Sequence, residues 1–347
     1  MGRDEAFIKY RDEIRGYLEA GKQELAGRYA QMREGFGRQL KERIEALCRR
    51  IRKPAAYVQI SLLQCLIGQD IYRIMISVHD ETYFLDSDMN AAFLDVNELF
   101  DSMQSLKRKL YDTAAYYHGT VQLYEADRII VKLAMEFFKE IGGEFRPFFR
   151  DFDRWDGVVS LPAGPKLVVK WGEHREYSET IFLMNRREKT QEEFILKNEQ
   201  NSLEEWDGQY IYQGWDGTNF SDAACCRKNL MFVNMRGCRL ERVTWENCLA
   251  YGAAFRQAEL EDVVFTGCDL SRCDFRKARL KHVRFIQCRL DGSDFAGAQM
   301  QEADFAGSTM EDVLFTREEL SLSGLDAVQL QRLRVEEEPY VFHDGRR

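Results

Sequence analysis

The stretch CDLSRCDFRKARLKHVRFIQCRLDGSDFAGAQMQEADFAG, residues 268–307, repeats a pattern of five residues. An apolar residue occupies every fifth position, in one frame that runs from Phe220 to Leu320. Two positions before nearly every one of them stands a small or slim residue, mostly Ala, Cys, Val or Ser. Neither the helical period of about 3.6 residues nor the strand period of about 2 produces this spacing, which therefore indicates a structural repeat.

The pentapeptides CDLSR, CDFRK, ARLKH, CRLDG, SDFAG, AQMQE and ADFAG resemble A(D/N)LXX, the consensus of the pentapeptide-repeat family. The resemblance covers residues 213–320 and nothing before them. It implies a right-handed quadrilateral β-helix, in which four pentapeptides form a square coil and the central and minus-two residues point inward. The expected fold is α+β and multidomain, with a mainly α-helical N-terminal domain that holds a small β element, followed by this β-helix.

Residues twenty apart should stack in such a coil, so the frame predicts columns of core residues. The predicted core at central positions comprises Leu240, Phe255, Leu260, Phe265, Phe275, Leu280, Phe285, Phe295 and Phe305. Cys248, Cys268 and Cys288 form a further column at minus-two positions. Metal ligands must converge on one ion, whereas these sulfurs would be spaced along a line without a histidine. We therefore expect structural thiols, and no metal or cofactor.

Charges that point outward should also meet residues twenty apart. Opposite charges are matched in four predicted pairs: Glu259 with Arg279, Glu261 with Lys281, Asp269 with Arg289, and Arg284 with Asp304. Such pairs lower the free positive potential of the coil. The columns of Arg256, Arg276 and Lys277 contain no acidic residue that would match them, so we predict these three as a protein-binding patch.

Composition sets broad limits on the class of protein. The chain has 347 residues, of which 45% are hydrophobic and 31% charged, and this favours an ordered protein of two or three domains. A net charge of −9 argues against a nucleic-acid binder. The first twenty residues lack an apolar leader, and the run from Ala55 to Ile67 is too short to span a bilayer. We expect a cytoplasmic protein with reduced cysteines.

Shifts of pattern along the chain predict four segments. They are a mainly helical domain (1–143), a small aromatic-rich β segment with a linker (144–210), the repeat with a C-terminal cap (211–334) and a tail (335–347). Residues 4–53 have helical spacing, as one long helix or a helical pair. Residues 89–141 return to that spacing in two pieces that break near His118 and end at Gly142. The LPAGP motif at 161–165 predicts a hairpin or a tight connection between two strands.

Several motifs have both a structural and a functional interpretation. The basic cluster at 49–53 fits a helix C-terminus or a basic patch, and His79 with Asp80 and Glu81 fits a turn or a proton-transfer site. The aromatic residues of 144–185 fit packing or a ligand-binding wall, and WGEHREYSE at 171–179 fits an exposed strand or a catalytic site. Thr316 with Glu319 fits a capping box of a helix that covers the last coil, whereas the rival interpretation of that end is a dimer interface.

These observations favour a non-catalytic scaffold or adaptor with a protein partner of unknown identity, and no nucleic-acid or membrane contact. Pentapeptide repeats also occur on adaptors that load effectors onto contractile secretion machines, and the resemblance extends to that arrangement. Some family members resemble strongly acidic rods that mimic DNA and protect type II topoisomerases, whereas this repeat is nearly neutral. The alternatives are such a mimic and an enzyme housed in residues 55–185. Homodimerisation through the helical domain or the C-terminal cap is left open.

Overall fold

The computed structural model describes residues 2–185, 190–199, 214–316 and 325–336. The chain divides into one unit from Met1 to Phe182 and another from Leu183 to Arg347. The boundary predicted at residue 143 does not coincide with this division, since residues 144–182 belong to the first unit.

A five-stranded sheet lies at the centre of the first unit. Its strands are β1 (Ala55–Leu62), β2 (Arg73–His79), β3 (Asn90–Asp95), β4 (Ala163–Gly172) and β5 (Ser178–Asn185). They are ordered β3-β2-β1-β4-β5. β1 is antiparallel to β2 and parallel to β4, and β2 is antiparallel to β3. Because side chains alternate along a strand, Val58, Ile60 and Ile76 share one apolar face, and all three are buried.

Helices accompany this sheet in the first unit. They are α1 (Arg3–Cys48), α2 (Gln64–Ile67), α3 (Ser102–Ala115), α4 (Leu123–Phe145) and α5 (Asp156–Val159). The single long helix, one of the two arrangements predicted for residues 4–53, is the one observed. The hydroxyl of Tyr10 in α1 donates to the carbonyl of Leu110 in α3 at 3.2 Å, and Phe36 packs edge-on against Phe145 of α4. These contacts to other helices stabilise α1, whose glycines weaken it in isolation.

Three details of the first unit differ from the expectation. Residues 90–95 form the strand β3 rather than a helix, because pairing with β2 outweighs the local spacing. α4 continues through Gly142 to Phe145 instead of ending at the glycine. The LPAGP motif leads into β4, and the connection between β4 and β5 is instead formed by residues 173–177.

The aromatic and basic clusters of the first unit have structural roles. Phe149, Phe152 and Trp155 are buried and pack on one another. α1 ends just before the basic cluster, in which Lys53 forms an ion pair with Asp86 at 2.6 Å. Among the described residues, the aromatic cluster therefore packs as core, as the structural interpretation predicts.

A short helix in the second unit covers the first described coil of the rod. In α6 (Gln191–Asn198), Phe194 is buried against Trp215 and Phe220, with ring centroids 5.1 and 5.0 Å away. The Gln191 side chain donates to the carbonyl of Ser221 at 2.9 Å and accepts from its N–H at 2.6 Å. A side-chain amide thus satisfies backbone groups at the sheet edge. The linker predicted around this helix falls largely on residues 186–189 and 200–213, outside the described residues.

Short parallel strands, twenty residues apart, build the rod. One sheet contains β6 (Asn219–Ser221), β8 (Arg239–Glu241), β10 (Glu259–Glu261), β12 (Arg279–Lys281) and β14 (Gln299–Gln301). The next contains β7 (Ala224–Cys226), β9 (Thr244–Glu246), β11 (Val264–Thr266) and β13 (Arg284–Ile286). Leu260 pairs with Leu280, and Phe265 with Phe285. The predicted twenty-residue stacking is confirmed, in a β-solenoid of about five turns.

Stacked aromatic rings fill the interior of the rod. Phe275 lies parallel to Phe255 and Phe295, with centroids 5.0 and 4.7 Å away, and the ring of Phe285 meets it edge-on at 5.7 Å. Phe285 in turn stacks on Phe265 and Phe305. The structure buries all nine central residues and all three cysteines that the frame predicts as core. The space between the strands is therefore occupied by side chains.

The C-terminal end of the rod is formed by β15 (Leu314–Thr316), α7 (Ala327–Leu330) and β16 (Arg334–Glu336). β15 and β16 pair in parallel, and Thr316 is the last described residue of β15. The helix whose N-cap the sequence predicts at Thr316 would lie in residues 317–324, outside the described residues. Asp326 caps α7, in a capping box with Gln329. Glu319 and residues 337–347 of the predicted tail lie outside the described residues.

Gln329 closes this end with its side-chain amide. The amide is buried and donates to the carbonyls of Phe305 and Ser308 at 2.9 and 3.3 Å. Leu330 follows Gln329 and occupies an apolar position of the five-residue frame, yet its side chain is 46% exposed. The five-residue frame therefore no longer decides which side chain points inward at α7.

Candidate protein-interaction surface

The outward neighbours of the stacked core residues form four faces of the rod. Each face is defined by the buried central residues whose sequence neighbours point outward on it. They are the charged face (beside Leu240, Leu260, Leu280), the smooth face (beside Trp245, Phe265, Phe285), the tyrosine face (beside Leu230, Ala250, Leu270) and the arginine face (beside Met235, Phe255, Phe275). Since the interior is filled, contacts with another molecule must be made on these faces.

Ion pairs between neighbouring coils neutralise most of the charged face. Three of the four predicted pairs are in contact: Arg279–Glu259 at 3.2 Å, Lys281–Glu261 at 2.5 Å and Arg289–Asp269, which lies on the tyrosine face, at 3.8 Å. In the fourth, Arg284 lies in register with Asp304. The smooth face carries Val264, Thr266 and Ile286 and fewer charges.

The arginine face carries the predicted patch of Arg256, Arg276 and Lys277. The expectation that Arg276 lacks an acidic neighbour is wrong. Its Nη2 lies 2.6 Å from Oδ2 of Asp274, and its Nε lies 3.5 Å from Asp294. Asp274 lies two residues before Arg276, and in this turn its carboxylate also accepts the backbone N–H of Arg276, which brings the side chains together.

The same contact, between an arginine and the residue two positions before it, recurs along this face. Asn234 accepts from both the backbone N–H and the Nε of Arg236, at 3.2 and 3.1 Å. Arg256 lies between Arg236 and Arg276 in register and is half-buried, and Lys277 is exposed. One arginine per coil thus occupies the same position in three successive coils. Two of the three are held by the turn that precedes them.

The cysteine column lies within the rod. The backbone N–H of Cys248 lies 3.4 Å from the sulfur of Cys268, and that thiol donates to the carbonyl of Trp245 at 3.4 Å. A hydrogen bond to Cys268, together with burial, raises the pKa of Cys248. Burial raises the pKa of Cys225 to about 12. Ser308 makes equivalent bonds where the column continues, which fits a packing role.

A buried polar network in the first unit contains His79. Its Nε2 lies 2.9 Å from the hydroxyl of Ser77, and on the neighbouring strand Gln59 donates to Ser61 at 2.9 Å and accepts from Tyr83. Ser77, Gln59 and Ser61 are fully buried and His79 is 1% exposed. Asp80 accepts the N–H of Thr82, as a turn requires. A substrate has no direct access to Ser77 or His79, so the network is suited to stabilising the sheet.

We expect His79 to make the first unit less stable in acid. Burial lowers the pKa of His79, and the nearby carboxylate of Asp86 opposes this only in part. An unfolded histidine titrates near about 6.5, so below that pH the unfolded chain binds a proton that the folded chain does not. Stability should therefore fall as the pH drops from 7.5 to 5.5, by at most about 1.4 kcal/mol per pH unit from this residue. Urea denaturation at both pH values measures the loss.

Two histidine substitutions identify the origin of this effect. The variant His79→Asn should lose less stability between the two pH values than the wild type. The matched variant His118→Asn changes an exposed histidine and should retain the wild-type dependence. An unchanged pH dependence in His79→Asn would assign the effect to other groups, such as His174, whose pKa is also lowered by burial.

A groove of about 830 Å³ in the first unit lies beside α4 and is lined partly by Val131, Met135 and Trp171. Trp171 pairs with Ile60, whereas His79 pairs with Tyr57 three residues away on the same strand. Because alternate residues point to opposite sides of a sheet, Trp171 and His79 lie on opposite faces. The groove and the histidine network therefore do not form one site.

The motif WGEHREYSE at 171–179 contains ion-paired residues. The carboxylate of Glu179 forms ion pairs with Lys139 and Arg146.

Sequence reasoning missed some of these polar residues. Gln59 and Ser61 alternate with Val58 and Ile60, and this period of two signals a strand with one polar face. The pairing of Asp274 with Arg276 does not follow from the stacking of residues twenty apart, because it joins residues that are two apart.

The fold and its surface define a solenoid of five-residue repeats with a filled interior. Residues 238–323 match the family model described as Pentapeptide repeat region. The rod of the second unit is thus a β-solenoid that matches this family over part of its length, and residues before 238 are outside the family match.

Solved structures of pentapeptide repeat proteins are similar to part of the chain. HetL, involved in heterocyst differentiation regulation in the cyanobacterium Nostoc, is 17% identical over 31% of this chain and 46% of its own, with a TM-score of 0.31. A protein of the Arabidopsis thaliana thylakoid lumen is 21% identical over 38% of this chain and 80% of its own, with a TM-score of 0.18. Full-length QnrB1, a plasmid-mediated fluoroquinolone resistance protein, is 18% identical over 37% and 73%, with a TM-score of 0.16.

The match thus spans less than half of HetL. The comparison with curated proteins found no match. Among the described residues, no helix combines the length and the apolar character needed to cross a membrane.

Proposed function

We propose that the protein is a non-catalytic scaffold that binds a protein partner through the arginine face of its rod. The observation that carries the proposal is the column of Arg236, Arg256 and Arg276, one in each of three successive coils, with Lys277 beside it. Arg236 is buried, so Arg256, Arg276 and Lys277 are the residues that a partner can contact. Asp274 holds Arg276 in one geometry, so little side-chain freedom is lost when a partner binds. Guanidinium groups held in this way suit directional hydrogen bonds to carboxylates and carbonyls.

The finer form of this proposal is an adaptor that loads an effector onto a contractile secretion machine. Its support is the arrangement of a mainly helical first unit before a nearly neutral rod. Residues 214–316 contain 15 Asp and Glu and 13 Lys and Arg. This balance disfavours a mimic of DNA, whose phosphates give a uniformly negative surface.

A pull-down from the native host tests the proposal with two matched double variants. Arg256→Gln with Lys277→Gln removes two positive charges from the arginine face and should reduce capture of the partner about tenfold. Arg279→Gln with Lys281→Gln removes the same charge from the charged face and should leave capture intact. Arg276 is left unchanged in both, because Asp274 would otherwise be buried without its cation.

Each outcome of the pull-down selects one interpretation. Equal capture by both double variants would show that the arginine face is not the contact. Recovery of type II topoisomerase subunits alone, with inhibition of supercoiling by excess protein, would replace the adaptor with the mimic. A secretion-machine component or secreted effector that depends on Arg256 and Lys277 would support the finer proposal.

A further inference from the structure

Phe232 has an unusual backbone conformation for its residue type. It occupies a corner of the solenoid, two residues after a central position, with φ at 56°. Bulky side chains are strained in this left-handed region, which favours Gly, Asn and Asp. Among the described rod residues, the other non-glycine positions with positive φ are all polar or charged: Asp222, Arg227, Arg242, Asn247, Gln257, Asp262, Arg272, Lys277, His282, Gln287, Glu302 and Asp312.

The ring of Phe232 packs against a glycine, Gly252, in the next coil. A β-carbon on Gly252 would lie 2.5 Å from Cε1 of Phe232, so the ring rests against the glycine backbone. Tyr251 meets the same ring edge-on, with centroids 5.4 Å apart. The guanidinium carbon of Arg272, one coil further, lies 5.9 Å from the centre of the Tyr251 ring. Met231, Phe232, Tyr251 and Arg272 form what we call the aromatic corner.

The aromatic corner remains accessible. Met231, Phe232 and Tyr251 are half-buried and Arg272 is exposed. The corner thus presents apolar surface beside a cation, with its rings held by neighbouring coils. Aromatic residues, Met and Arg are the residue types enriched at the centres of protein interfaces.

The surroundings of the corner are basic. Between residues 227 and 258 the acidic residues are Glu241, on the charged face, and Glu246, on the smooth face. The tyrosine and arginine faces of this stretch carry Arg236, which is buried, and Arg256, which is half-buried. In the coil of Arg272, the carboxylates of Asp269 and Asp274 are paired with Arg289 and Arg276. A ligand with negative charge around an apolar group would match both the rings and the charge.

We propose that the aromatic corner binds an aromatic side chain within an acidic segment of a partner protein. The proposal deepens the proposed function, on which it rests, by adding an anchor point to the arginine face. Phe232 is held in the left-handed region while part of its ring stays exposed, and such backbone strain is concentrated at functional sites. Asparagine would fit the corner with less backbone strain, and the exposed part of the Phe232 ring is available to a partner.

Fluorescence anisotropy of the full chain with two labelled peptides tests the site. The probe is fluorescein-EDEWEDE, and its control, fluorescein-EDEAEDE, has the same charge without the aromatic anchor. The wild type should bind the tryptophan peptide about tenfold more tightly than the alanine peptide. Phe232→Asn should abolish this preference, while its unfolding midpoint in urea equals or exceeds that of the wild type.

Two variants separate a local effect from a general one. Gln257→Asn makes a related change at another left-handed corner, and Arg279→Gln removes a charge from the charged face; both should retain the preference. Equal binding of the two peptides by the wild type, or no binding of either, would overturn the inference. Retention of the preference by Phe232→Asn would overturn it as well. If the wild type still captures a partner that depends on Arg256 and Lys277, the proposed function survives that failure.

Discussion

Replacement of Gly142 with alanine is expected to destabilise the first unit by about 1 to 3 kcal/mol, the usual cost of overfilling a packed core. A β-carbon at this position of α4 would lie 2.3 Å from Cδ1 of Trp171. Trp171 has little room to move, because its ring stacks on Phe138 and Phe145. Its Nε1 also donates to the carbonyl of Phe138 at 2.7 Å. Urea denaturation monitored by tryptophan fluorescence measures the loss.

The neighbouring glycine provides the matched control. A β-carbon on Gly143 would approach only Arg146 Nη1, at 3.7 Å. Gly143→Ala should therefore stabilise the unit by up to about 1 kcal/mol, the helix-propensity difference between the two residues. Opposite signs at adjacent positions would isolate the contact with Trp171. Equal effects at both positions would mean that the helix, and not this contact, determines the result.

Truncation of Phe275 to alanine is expected to destabilise the rod by about 3 to 5 kcal/mol. Its fully buried ring touches Phe255, Phe295 and Phe285, and the strand spacing limits how far the coils can close over the cavity. Hydrogen exchange followed by mass spectrometry reports each unit separately. Faster exchange is expected in residues 250–300, with α4 unchanged.

A graded substitution at the same position tests the cause. Phe275→Leu keeps most of the volume and should cost no more than about 1.5 kcal/mol. Leucine is already the central residue on the charged face, as at Leu260 and Leu280, so the coil geometry accepts it. A loss in Phe275→Ala no larger than that in Phe275→Leu would show that the ring stack contributes little.

The rod could be predicted in detail because a single five-residue repeat determines its fold. Every fifth residue points inward, and register follows from the count of twenty, so Phe275 could be placed beside Phe255 and Phe295 from the sequence. The frame ceases to work at Leu330, where a capping box selects Gln329 for the interior. Local hydrogen bonding there outweighs the hydrophobic pattern.

The first unit was less predictable because its decisive contacts join distant residues. The approach of Gly142 to Trp171 depends on how α4 crosses β4, and no local pattern encodes it. β3 was missed for a similar reason, since pairing with β2 decides its conformation. The buried polar network around His79 is spread over two strands and became visible only when β1 and β2 were placed in register.

On the candidate site, the sequence located the arginines but not their environment. The twenty-residue stacking predicts the column of Arg256 and Arg276. It does not predict the contact of Arg276 with Asp274, because a turn brings these two residues together from two positions apart. Phe232 fits the five-residue frame as an ordinary corner residue. Its strain becomes evident only from the backbone angle.

The glutamine amides at the two ends make the rod a spacer whose length changes in fixed increments. Gln191 satisfies backbone groups of the first coil, and Gln329 bonds to carbonyls of one of the last, so neither closure depends on how many coils lie between them. Insertion of one twenty-residue coil would separate the ends by a further 4.8 Å or so and would leave every side chain on the same face of the rod. An insertion of five residues would instead turn everything beyond it by one face, and would move a contact surface to a different side of the rod.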